Sequence, residues 1–402
     1  MISSKDEKNI MYLRYLKMDL PIKQSAFLWG ARKTGKSTYL RLKYPYSKRF
    51  DLLDSMLEQK FLKSPWEFRE EVLKLTEDEF KHPIIVDEVQ KVPSIMDEIH
   101  WLIENSGAYF ILCGSSARKM RRSGVNLLGG RAYGYKFFPL VYPEFKEDFD
   151  LLKIFNNGLI PSHYSLSSPK KILQAYIRDY LSLEVKAESL VRNLVGFNRF
   201  LDAVAFCHGE MINYSNIARE VGIDATTVKE YFQILEDTLI GYFVYPYRKV
   251  ANRRIISFVP KFYFFDVGIA NRLASNSFDI IKGIEAGKSL EHYIFLELYS
   301  YVNLNDLDYK ISYWRTHTGI EVDFVAHLKK GLPIPIEVKI SETIHKTEFK
   351  NMKIFMKEYG VKTGYIICMC DRARRHVFEE GEIIIYPVRE FLEDLWAGKI
   401  FK

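Results

Sequence analysis

The sequence predicts an α/β protein in three parts, and three observations predict it. Gly30-Ala31-Arg32-Lys33-Thr34-Gly35-Lys36-Ser37 fits G-x-x-x-x-G-K-[ST] at every position, between an apolar stretch at residues 26–29 and a helix-like start at residues 37–40. Helical periodicity on both sides of Gly222 predicts a helix-turn-helix. Alternating apolar and acidic residues between Glu321 and Ile340 predict a hairpin in a second α/β domain. The expected boundaries are a nucleotide domain with a parallel sheet and a helical lid over residues 1–200, a winged helix-turn-helix over 201–260, and a third domain over 261–402.

The nucleotide domain is read element by element. Residues 26–29 make a buried strand. The loop after it turns successive backbone N–H groups onto an anion at a helix N-terminus. Gly30 and Gly35 allow the phosphates a close approach, and Lys33, Thr34 and Thr38 complete their surroundings. Lys36 would reach the β- and γ-phosphates, and Ser37 would hold Mg²⁺. Residues 83–88 form an apolar run ending in Asp87 and Glu88, as in a strand buried on both faces. Asp87 is expected in the Mg²⁺ shell, and Glu88 beside the attacking water. A third strand at residues 108–113 leads to Ser115 and Ser116, either of which would meet the γ-phosphate or that water. Arg131 precedes an apolar run at residues 135–140 that reads as the next strand. At that rim it is either an arginine finger for a neighbouring subunit's nucleotide or a surface partner of a carboxylate. Arg118 is a second candidate for the finger.

Composition bounds the rest. The chain has 402 residues, 48% hydrophobic and 27% charged, with a formal net charge of +7. These values fit globular domains and mildly favour a polyanionic partner. Four cysteines exclude a disulfide scaffold and are expected as reduced core thiols. No apolar run is long enough to span a bilayer, and the expected location is cytoplasmic.

In the middle region, residues 214–221 and 225–235 read as two short helices with Asp224 as the N-cap of the second. Ile217 and Val221 would pack against Val228, Tyr231 and Leu235. Strands near 242–246 and 255–259 would form a wing carrying Arg248, Lys249, Arg253 and Arg254. With Thr226, Thr227 and Lys229 on the second helix, this predicts contact with a DNA backbone or, failing that, a packing module between domains.

The last region reads as helix (about 290–302), three strands (310–316, 321–328, 333–340), helix (347–358) and strand (363–369). Asp323 lies on the face opposite Val322 and Phe324, and Glu337 shares a face with Lys339. Pairing these strands sets Asp323 beside Glu337, and two adjacent carboxylates favour a cation between them. Mg²⁺ suits such an oxygen site, with Glu291 as a further ligand and Lys339 orienting a hydroxide.

These motifs resemble a known family over nearly the whole chain. Residues 30–37, 84–88, 114–116 and 130–131 resemble an AAA-type ATPase. Residues 261–268, 287–291, 313–316, 321–324 and 336–339 resemble the domain of unknown function that accompanies such ATPases in bacteria and archaea. That domain is similar to the PD-(D/E)xK, restriction-endonuclease-like superfamily. The resemblance implies catalytic positions for Asp323, Glu337 and Lys339, with Glu291 as the helical acid, although Val322 stands where the superfamily has proline. The expectation is an ATP- and Mg²⁺-dependent ATPase acting on DNA, possible as a homo-oligomer through Arg131, with a metal-dependent nuclease domain. The rivals are a C-terminal fold that only docks DNA or a partner, and a protein-remodelling ATPase.

Overall fold

The computed structural model describes residues 11–116, 128–181, 193–248, 259–379 and 381–401. The chain divides into two compact units. One gathers residues 14–139 and 233–240, and the other is the remainder.

The smaller unit is built on five parallel strands in the order β2-β3-β4-β1-β5. They are β1 (Ser25–Trp29), β2 (Arg49–Asp51), β3 (Ile84–Asp87), β4 (Phe110–Gly114) and β5 (Ala132–Lys136). Helix α1 (Lys36–Lys43) follows β1. Helices α2 (Ser55–Lys63), α3 (Pro65–Leu73) and α4 (Ile95–Ser106) complete the crossovers. Asp54 caps α2 by accepting from Met56 N at 2.8 Å, and Pro65 opens α3 where its missing N–H costs nothing. Edge-to-face rings of Phe50, Phe61 and Phe68 fill the core, with Phe50 and Phe68 centroids 4.9 Å apart.

One strand differs from expectation. The apolar run at 137–141 is buried but lies past the sheet, and β5 is formed by the half-exposed residues just before it. An edge strand needs only one covered face, so it carries a weaker apolar signal than the segment that follows.

In the larger unit, α5 (Leu151–Asn157) is capped by Asp150, α6 (Leu194–Phe206) by Asn193 and α7 (Tyr214–Val221) by Asn213. Gly222, at φ 75°, ends α7. Asp224 accepts from Thr226 N and Thr227 N, each at 2.9 Å, at the start of α8 (Ala225–Asp237). Ile217, Val221, Val228 and Tyr231 are buried. β6 (Gly241–Val244) pairs antiparallel with β7 (Lys261–Phe264). Residues 249–258, with Lys249, Arg253 and Arg254, lie outside the described residues, as does Arg118.

Asp266 ends the aromatic run after β7. It caps α9 (Val267–Leu273) through Ile269 N at 2.9 Å and also accepts from Leu159 N at 2.6 Å. Burial pushes its carboxyl up to about 6. Gly158 leaves room for it, because a Cβ there would lie 2.1 Å from Asp266 Oδ1.

The long helix α10 (Ile284–Leu304) precedes a mixed sheet in the order β12-β13-β11-β10-β9-β8. Its strands are β8 (Lys310–Arg315), β9 (Glu321–His327), β10 (Ile334–Val338), β11 (Thr363–Cys368), β12 (Arg374–Phe378) and β13 (Gly381–Pro387). Helix α11 (Lys350–Tyr359) lies between β10 and β11 in the chain, and α12 (Val388–Trp396) follows β13. The last two strands and α12 were not anticipated. Among the described residues, no helix is long and apolar enough to cross a membrane. The four cysteines are free thiols, three of them buried.

Candidate nucleotide site and carboxylate cleft

The phosphate loop follows the C-terminal end of β1. Lys33 (φ 60°) and Gly35 (φ 100°) adopt left-handed backbone that curls the loop onto the start of α1. Lys36 folds over it, donating from Nζ to Gly30 O at 2.7 Å and Ala31 O at 3.0 Å. Thr34 Oγ1 donates to Ala31 O at 2.8 Å, while Thr38 is exposed on the first turn of α1. A Cβ at Gly30 would lie 2.3 Å from Phe137 O, so only glycine lets the loop pass this backbone. Arg14, which the sequence reading missed, braces the loop. It donates to Thr34 O, to Phe138 O at 2.7 Å and to Pro139 O at 3.0 Å, and stacks 4.3 Å above the Phe137 ring.

Strand β4 lies between β1 and β3, yet Ser37 Oγ donates to Asp87 Oδ2 at 2.5 Å. A hydroxyl and a carboxylate in contact are hard oxygen donors that fit a Mg²⁺ shell completed by water and phosphate. Glu88 sits at φ 55° and accepts from Gln90 Nε2 at 2.6 Å. The same Nε2 donates to Ser115 Oγ at 3.0 Å, and Arg32 Nη2 lies 3.6 Å from Glu88. Loop lysine, hydroxyl, paired acids and Ser115 are thus assembled around the C-terminal ends of β1, β3 and β4. Gln90 carried no signal in the sequence beyond standing two residues after Glu88.

Arg131 is not brought to this loop. The register Ser25↔Ala132 to Trp29↔Lys136 sets it beside the start of β1, whereas the loop follows the end of β1. The offset is roughly 15 Å of strand. Its Nε lies 2.5 Å from Glu104 Oε1, in an exposed ion pair.

In the larger unit, β9 and β10 pair as Ile336↔Phe324, which sets Glu337 opposite Asp323. Asp323 N donates to Glu337 Oε2 at 3.3 Å, and Val338 N donates to Asp323 Oδ2 at 2.8 Å. Lys339 Nζ donates to Glu337 Oε1 at 2.6 Å. The face carrying Glu337 is not open. β10 is a central strand with α10 and α11 both packed on it, and Glu337 is only 5% exposed. Burial, then the neighbouring Glu337 and Glu291, hold the Asp323 carboxyl well above its usual range. Burial also raises Glu337, against the lowering effect of Lys339.

Glu291, on α10, is held elsewhere. It accepts from Tyr263 Oη at 2.5 Å and pairs with Lys261 Nζ at 3.4 Å. The buried Lys261 also pairs with Glu321 at 2.7 Å, and Arg315 pairs with Glu321 at 2.7 Å. Among the described residues, no three His, Cys, Asp or Glu side chains come together as a metal-binding group. Glu291, Asp323 and Glu337 therefore do not form a ready three-ligand set. A cleft of about 320 Å³ opens here, lined by Lys261, Glu291, Glu321, Asp323, Arg315 and His208 among others.

Comparisons with known proteins match three stretches of the chain. Residues 23–146 match the family model of an AAA domain. Residues 149–279 and 286–391 match two domains of unknown function, DUF8612 and DUF4143. The chain is similar to two curated proteins, uncharacterized protein Mb2031c of Mycobacterium bovis and uncharacterized protein Rv2008c of Mycobacterium tuberculosis. Each is 23% identical over 267 residues, which is 65% of this chain and 59% of the relative, so the match spans under two thirds of their length. Among solved structures, the Aeropyrum pernix ORC1 protein in complex with DNA matches 63% of this chain and 87% of its own, at 12% identity and a TM-score of 0.24. A score that low carries no argument about this chain. The AAA-domain match and the parallel sheet around the phosphate loop support an AAA-type P-loop ATPase with a C-terminal domain of unknown function.

Proposed function

We propose that this chain binds and hydrolyses ATP with Mg²⁺ and couples turnover to DNA. The observation that carries the ATPase reading is the Ser37–Asp87 contact at 2.5 Å beside a loop already capped by Lys36. On binding, Lys36 exchanges the Gly30 and Ala31 carbonyls for the β- and γ-phosphates. Ser37 and Asp87 would hold Mg²⁺, which neutralises phosphate charge as the bond breaks. Gly30, Lys33, Thr34, Gly35 and Thr38 surround the phosphates. Glu88 accepts a proton from the attacking water, and Ser115 orients that water. Lys36→Ala is expected to abolish nucleotide binding, and Glu88→Gln to keep binding and lose hydrolysis. Unchanged ATPase activity in purified Lys36→Ala protein would sink the assignment.

Support for DNA is the α7–α8 pair with exposed Thr226 and Lys229, followed by the β6–β7 pair as a wing, in a chain of net charge +7. For the C-terminal domain we propose a metal-dependent nuclease in which Asp323 and Glu337 bind the ion and Lys339 orients the attacking hydroxide. The cross-strand pairing of the two acids supports it. The rival, a fold that only docks DNA or a partner, draws support from the buried ion pairs of Lys261 and Lys339. Nicking of DNA by wild type, lost in Asp323→Ala with either Mg²⁺ or Mn²⁺, decides for the nuclease. No cleavage under any condition decides for docking.

A further inference from the structure

The six-stranded sheet has two edges, and the chain treats them differently. The β8 edge is closed by the segment after β6. Tyr247 N donates to Tyr313 O at 2.6 Å, and Tyr313 N donates to Tyr245 O at 3.2 Å. At the other edge, β12 pairs only with β13 among the described residues. In an antiparallel ladder alternate residues turn both N–H and C=O away from the partner strand, so β12 presents a row of unused backbone groups.

Its side chains sort by face. His376 packs on Phe349 with ring centroids 4.7 Å apart, and Lys353 Nζ sits 4.3 Å from the centroid of Phe378. Alternation sends Arg375 and Val377 to the opposite face. Val377 is 70% exposed, an apolar β-branched side chain on an open strand. Charges on an edge deter pairing when like charges meet. Here the charge changes sign along the strand. Arg374 and Arg375 stand at its start and Glu379 just past its end, all three exposed. Two copies running antiparallel about Val377 set Val377 against Val377, and each Arg375 against the other copy's Glu379. Directly opposed residues share a face, so the apolar contact and both ion pairs form together. A copy centred on His376 sets Arg375 against Val377 and leaves the charges unmatched. Arg375 Nε lies 3.4 Å from Glu382 of its own chain, but the side chain stays 66% exposed, so the guanidinium keeps donors for a second acid.

We propose that β12 is a docking edge for a second copy of this chain, joined antiparallel about Val377 so that two six-stranded sheets become one. The charge reversal between Arg375 and Glu379 favours this partner over an acidic peptide or DNA, either of which Glu379 would repel. The pairing uses neither the phosphate loop nor the carboxylate cleft.

The test is sedimentation equilibrium of the full-length chain without nucleotide, from low to high micromolar concentration. Wild type is expected as a reversible dimer. Glu379→Arg sets arginine against arginine, and Arg375→Glu sets acid against acid, so each should weaken the dimer by about tenfold or more. The double variant restores opposite charges and should recover the dimer, which a purely structural role for either residue would not produce. Val377→Cys should form an intermolecular disulfide on mild oxidation, because directly opposed residues lie within disulfide reach. Arg374→Cys, far from its counterpart in this register, and wild type should not. A monomer at every concentration overturns the proposal, as does a dimer that neither charge variant weakens. A monomer that binds polyglutamate or DNA, with the binding lost in Arg374→Glu, gives the edge to that partner and overturns it too.

Discussion

Replacing Glu297 with glutamine should remove one pH-dependent contribution to this protein's stability, so that the variant's curve crosses that of wild type. Glu297 lies in α10, is 1% exposed, and accepts from Tyr142 N at 3.0 Å and Trp396 Nε1 at 2.7 Å. Burial outweighs these hydrogen bonds and pushes its carboxyl up from 4.5 to about 8. Because the folded value is raised, the native state holds the proton more tightly. The contribution is full below the unfolded value near 4.5, falls as pH rises, and is lost once pH passes about 8. The span corresponds to about 5 kcal/mol. Glutamine stays neutral throughout, but its NH₂ replaces one acceptor and opposes a donor, costing about 1–3 kcal/mol. Glu297→Gln should therefore be less stable than wild type near pH 5 and more stable, by roughly 3 kcal/mol, above about pH 8. Denaturant unfolding followed by tryptophan fluorescence, with Trp396 as a local reporter, measures both curves. Parallel curves that never cross would refute the reasoning.

Three further outcomes follow from the geometry. Gln90→Ala removes the amide that links Glu88 to Ser115, so turnover should change by about tenfold or more while ATP affinity stays within about threefold; steady-state kinetics beside a binding titration reads the split. Arg131→Ala removes an exposed ion pair worth at most about 1 kcal/mol, so thermal stability should hold. Its turnover should fall with ATP affinity intact if it serves a neighbour, and normal turnover at all protein concentrations would leave it only as the partner of Glu104. Lys229→Glu on the exposed face of α8 should weaken DNA binding alike across sequences and reduce its salt dependence by about one phosphate contact.

The nucleotide site was largely legible because its chemistry is local. Residues 30–37 contain both the turn and the ligands, and residues 84–88 mark a strand and its acids in one run. What escaped depends on distance in the chain. Arg14 reaches the loop from twenty residues upstream, and Gln90 acquires meaning only because β4 brings Ser115 alongside. The strand after Arg131 was set a few residues too late because an apolar run signals burial without saying where the sheet stops. The pairing of Asp323 with Glu337 could be read from strand alternation. The burial of Glu337 could not, because β10 is a central strand with helices packed on it. Lys261 was invisible as part of the cleft for the same reason, as nothing near residue 261 names Glu291 or Glu321 as its partners. β12 escaped because Arg374 and Arg375 make it an exposed, polar edge.

Gly114 holds one last consequence. Its N-terminal neighbours form β4, its carbonyl accepts from Gly30 N at 3.2 Å, and a Cβ on it would lie 2.3 Å from Gln90 Oε1 and 2.7 Å from the Trp29 ring. The loop and the acids are thus machined against one common part with no clearance. Drift on either side cannot be absorbed locally and must be matched on the other. Variants that retune phosphate affinity and variants that retune the acid at Glu88 should therefore arise as linked sets, and β4 is where an engineer would have to begin.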